Sequence, residues 1–136
     1  MMRAVLAIVV GVAIWGGLWT GSNAALSSAL PEAFDTEGFP RGSGVLLAFL
    51  AISVLLSILA GYLAAWITKQ NPMRVVTILA LVQLAIGIAV QTSVWNEMPV
   101  WYHVPFLLMV VPAHLLGSWI RLDRKPTWTA SDAPAV

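Results

Sequence analysis

Charged side chains disappear from the chain four times. Lys, Arg, Asp and Glu are absent from residues 4–31, 42–68, 75–96 and 98–120. Each gap exceeds the roughly 20 residues that, rising about 1.5 Å apiece, cross a hydrocarbon layer about 30 Å thick. The pattern predicts four membrane-spanning helices, over about residues 4–26, 44–68, 73–94 and 102–121. The expected fold is all-α: a polytopic four-transmembrane-helix bundle built from two helical hairpins. Residues 1–121 form that domain. Beyond it, "RLDRKPTWTASDAPAV" loses hydrophobic periodicity, so residues 122–136 are expected to be a flexible cytoplasmic tail.

The polar breaks between the gaps differ in kind. "TKQNPMR" is a short turn, with Asn71 suited to an N-cap and Pro72 to the first helical position. It joins spans two and three as an antiparallel hairpin. "SSALPEAFDTEGFPRGS", residues 27–43, is long enough for an outer loop. Phe34 and Phe39 are expected to rest on lipid headgroups there, with a short interfacial helix at residues 31–34.

Composition agrees with the pattern. Of 136 residues, 60% are hydrophobic and 10% charged, where a soluble domain carries about 25% charged residues. A net charge of +1 offers no large basic field for nucleic acid. The chain has no cysteine, which excludes disulfides, thiolate metal sites and Cys nucleophiles. The start, "MMRAVLAIVVGVAIWGG", also has the basic-then-apolar pattern of a signal peptide, with Ser22-Asn23-Ala24 acceptable for cleavage. Gly11, Trp15 and Trp19 make it long and heavy for that role, and a retained first helix is the favoured reading.

Charge asymmetry suggests an orientation. Arg3, Lys69, Arg74, Arg121, Arg124 and Lys125 fall on one side of the four spans, and only Arg41 on the other. By the positive-inside rule both termini are cytoplasmic.

Small residues recur every four positions on span two: Ser53, Ser57, Gly61 and Ala65. Residues four apart share a helix face, and in lipid such faces let helix backbones approach closely. Gly17 and Gly21 repeat the spacing in span one, and Ala113 and Gly117 in span four. Packing inside the bundle is favoured over dimerisation. Gln83 and Gln91 put two amides into span three, where they need partners and are read as helix glue before the lining of a solute path. His114, two residues after Pro112, is expected to be a neutral, hydrogen-bonded structural group beside a proline kink. The ring-rich segment "WNEMPVWYHVPF" joins spans three and four. Trp95, Trp101 and Tyr102 fit an outer interfacial belt, and Trp66 and Trp119 an inner one.

No phosphate loop, nucleophile elbow, HExxH or carboxylate pair appears. No enzyme activity, metal or cofactor is expected. "AGYLAAWITKQNPMR" followed by "VWNEMPVWYHVPFLLMVVPAHLLGSWIR" resembles a family of small bacterial four-helix integral membrane proteins with no assigned function. The likeness rests on Gly61, Tyr62, Ala65, Pro72, Met73, Trp95, Trp101, Tyr102, Pro112, Leu116 and Gly117, and covers roughly residues 45–121. It implies a bacterial cytoplasmic (inner) membrane and transfers no catalytic residue. The expected role is helix–helix packing, as an accessory subunit or a self-associating protein that docks through the Ser53–Ala65 face, with the lipid bilayer and other membrane helices as partners. The alternative is a small-solute transporter or channel lined by Gln83, Gln91 and His114.

Overall fold

A computed structural model describes residues 1–124 and consists of four long helices and one short one. Helix α1 runs Met2–Ala29, α2 Ser43–Ile67, α3 Pro72–Ser93 and α4 Val100–Asp123. All four are long and apolar enough to cross a membrane. Outward-facing side chains are apolar too: Leu55 is 65% and Leu108 68% exposed. Such an exterior is costly in water and suited to lipid, so the protein is an all-helical membrane protein. The 3-10 turn Pro31–Ala33 lies in the loop between α1 and α2, where a short helix is expected.

Helices α1 and α4 extend two or three residues beyond the expected spans at each end, α2 and α3 each sit one residue earlier in the chain, and α4 continues to Asp123, two residues into the segment assigned to the tail. Residues 125–136 lie outside the described residues. Asn71 does precede α3, but its backbone is left-handed (φ 48°) and its side chain makes no capping bond. Its carbonyl alone accepts, from the Val75 N–H at 3.2 Å. Asn is among the few residues that take up this conformation readily, and here it serves the turn rather than the cap. Helix α4 passes through Pro105 and Pro112 without interruption.

Two hairpins are present, yet the most extensive helix contact joins α2 to α4, which run parallel. The reason is steric. A Cβ on Gly61 would stand 2.0 Å from the His114 carbonyl oxygen, and one on Gly117 would stand 2.0 Å from that of Ile58. Only hydrogen fits at either position, so the two backbones touch. Contacts of this kind bring Cα–H groups against carbonyl oxygens and add to the packing attraction that holds helices together in lipid.

The core divides along the bundle axis. Towards the α1–α2 loop it is ring-rich, with Trp15, Phe49, Tyr102 and Phe106 buried together. Towards Arg3 and Arg121 it is built of Ala7, Ala64, Ala65, Val76 and Leu79. These two ends are called the loop end and the basic end below.

Candidate functional site

At the loop end the rings form a connected set. Trp15 and Trp19, one helical turn apart, stack at 5.3 Å. Trp19 meets Phe49 at 5.5 Å and Phe106 at 5.4 Å. Phe34, expected on the headgroups, is half-buried and packs edge-on against Phe49 at 6.3 Å. Trp15 also donates from Nε1 to Ser57 Oγ at 3.0 Å, binding α1 to α2 inside the bundle. The outer loop is closed by Asp35, whose carboxylate accepts from the Glu37 and Phe39 N–H groups and from the Arg41 guanidinium. Those bonds hold its carboxyl below the usual carboxylate value, the Phe39 N–H contributing most.

The ring-rich segment of residues 95–106 splits between two environments. Trp95 and Trp101 remain exposed, as do Trp66 and Trp119 at the other end. Tyr102 does not join the belt: it is 2% exposed and packs on Phe106 at 5.8 Å. His103 is fully buried. Its Nε2–H donates to the carbonyls of Met98 (3.1 Å) and Trp95 (3.2 Å). Its Nδ1 lies 2.5 Å from Gln91 Oε1. The Trp95 ring stacks on it at 4.6 Å. One imidazole thus ties α3, the connecting loop and the first turn of α4 together. Gln91 acts as helix glue, and its partner is a residue that hydropathy places at the surface. The available signal was the α4 repeat itself: Tyr102–His103, Phe106, Val110, Ala113–His114 and Gly117–Ser118 are all buried, at helical spacing.

The other two intramembrane polar groups are less completely bonded. His114 is buried and its Nδ1–H donates to the Val110 carbonyl at 2.7 Å, one turn back on its own helix. Its Nε2 has no partner among the described residues. Gln83 is 3% exposed, and its Oε1 is likewise unpartnered. Ser118 Oγ donates to the Met73 sulfur at 3.1 Å, joining α4 to α3.

The small-residue positions also divide. Ser53, Ser57, Gly61, Ala65, Ala113 and Gly117 are buried within the bundle. Gly17 and Gly21 are exposed, and a Cβ at either would meet nothing within 4 Å. Compared with protein-family models, curated proteins and solved structures, the chain matches none.

At the basic end, a cavity of about 750 Å³ is lined by Arg3 and Leu6 of α1, the stretch from Ala65 to Lys69, and Arg121 of α4. Neither hydropathy nor motif spacing singles it out, because its three cations come from distant parts of the chain.

Proposed function

We propose that the protein works by helix packing within the membrane, as a self-associating protein or a small accessory subunit, and catalyses no reaction itself. The docking element is the outward face of α1. One observation carries this: three sets of small residues share the same spacing, and two of them, on α2 and α4, are spent on each other. The third, Gly17 and Gly21 with exposed Ala13, Thr20 and Ala24 beside them, has no neighbour among the described residues. In lipid such a face favours another helix, because close backbone approach gains dispersion contacts that acyl chains match poorly. The Ser53–Ala65 face, first in line on sequence, supports the bundle from inside.

The membrane is the bacterial cytoplasmic membrane, with both ends of the chain in the cytoplasm. Support comes from the Lys and Arg distribution, six of seven on the side of Arg3 and Arg121. Isolation in mild detergent with mass identification of co-purifying chains tests the role. A doubled or mixed complex is expected, lost in a Gly17→Leu, Gly21→Leu variant that still folds. A lone monomer overturns it.

A second reading is supported by the unpartnered acceptors Gln83 Oε1 and His114 Nε2, which have capacity to bind a polar solute. In that case Gln83→Leu with Gln91→Leu abolishes flux into liposomes. Unchanged flux removes it.

A further inference from the structure

We propose that the cavity at the basic end binds the phosphate group of an anionic membrane lipid. Its charge comes from three elements: Arg3 at the start of α1, Lys69 just beyond α2, and Arg121 in the last turn of α4. Among the described residues no acidic side chain lines it and none of the three cations makes an ion pair. A phosphate is the anion such a fork-and-point-charge arrangement suits, since guanidinium groups bind two oxygens at once.

Two buried polar atoms point to a ligand independently of that charge. Thr68 is 5% exposed and lines the cavity, yet its Oγ1 has no hydrogen-bond partner among the described residues. Hydroxyls on membrane helices ordinarily donate to the carbonyl one turn back, as Thr77 does to Met73 (2.8 Å) and Thr92 to Ile88 (2.7 Å). Thr68 does not. Arg121 Nε is also buried and unpartnered. Leaving buried donors unsatisfied is costly, and a phosphate oxygen accepts from both. The remaining wall, Leu6, Ala65, Trp66 and Ile67, is apolar and suits acyl chains. Basic pockets between helices at the cytoplasmic face commonly take lipid phosphates in this way.

Native mass spectrometry of protein released from nanodiscs tests the site. One set of discs holds phosphatidylcholine alone, a second adds phosphatidylglycerol, and a third adds inorganic phosphate to the second. Phosphatidylglycerol is expected to be retained over phosphatidylcholine by about fivefold or more, the effect of one basic residue at an anionic surface. Lys69→Gln, at an exposed position, and Arg121→Gln each cut that preference. Thr68→Val removes no charge and cuts it as well, which separates a built site from attraction to a basic surface. Arg41→Gln, at the opposite end, leaves it unchanged. Displacement of the lipid by inorganic phosphate overturns the lipid source. Equal retention of the two lipids, or a preference untouched by Thr68→Val, overturns the site.

Discussion

Gly61 and Gly17 stand in the same kind of sequence, a row of small residues four apart in an apolar helix, and they end in opposite surroundings. Gly61 lies against the backbone of His114, and Gly17 faces open space. The spacing says that close approach is permitted. Whether anything approaches depends on the rest of the chain. Helix α2 is flanked by α1, α3 and α4, whereas α1 leaves much of its surface uncovered and is the least buried of the four. A permissive face in the middle of the bundle is filled internally, and the same face at its margin stays available.

The largest effect expected from this contrast is on folding. Gly61→Leu places side-chain atoms where the His114 carbonyl already stands, and destabilises the protein by on the order of 3 kcal/mol. The same change at Gly17 leaves stability within about 0.5 kcal/mol, as for other surface positions. Unfolding in mixed detergent, followed by circular dichroism, measures both. Equal losses at the two positions would erase the distinction.

A smaller effect concerns how α1 is held. Trp15→Phe keeps a ring among Trp19 and Phe106 but removes the hydrogen bond to Ser57. The loss is about 0.6 kcal/mol, the average for such bonds between membrane helices. Ser57→Ala should cost about the same, and the double variant no more than the larger single loss plus a few tenths. Additive losses would mean that the bond contributes nothing.

The smallest effect is confined to the outer loop. The Asp35 carboxyl titrates below its ordinary value of 3.8. The carboxylate therefore stabilises the loop in full above that ordinary value, and the contribution is lost as pH falls through the lowered one. Protection of the Phe39 N–H against hydrogen exchange, taken relative to the free amide at the same pH, should fall at the acid end in the native protein. In Asp35→Asn that protection should be weaker at neutral pH and nearly flat with pH.

Much of the architecture is legible because the membrane imposes it. Long uncharged gaps mean helices, since a helix is the form in which a single segment satisfies all its own backbone groups in hydrocarbon, and the four spans lie where those gaps lie. What hydropathy misses is which side of each helix faces inward. Tyr102 and Phe34 look interfacial by composition, yet both join the ring cluster because Phe49, Trp19 and Phe106 offer more apolar contact than headgroups do. His103 looks superficial for the same reason. Its burial depends on Gln91 and on two loop carbonyls, partners that no local pattern reveals. Trp15, heavy for a signal peptide, proves to be a buried tie between α1 and α2. The cavity of Arg3, Lys69 and Arg121 is invisible along the chain, because three helix ends must meet to make it.

The absence of cysteine makes the outward face of α1 open to a clean experiment. Single Gly17→Cys and Leu108→Cys variants carry one thiol each, both at exposed positions on membrane-spanning helices. Oxidative crosslinking in native membranes should trap Gly17→Cys as a disulfide dimer, or, with a bifunctional thiol–amine reagent, in an adduct with another membrane chain. Leu108→Cys should remain monomeric under both conditions. Equal crosslinking at the two positions, or none at Gly17→Cys, would contradict α1 as the element through which this protein meets its partner.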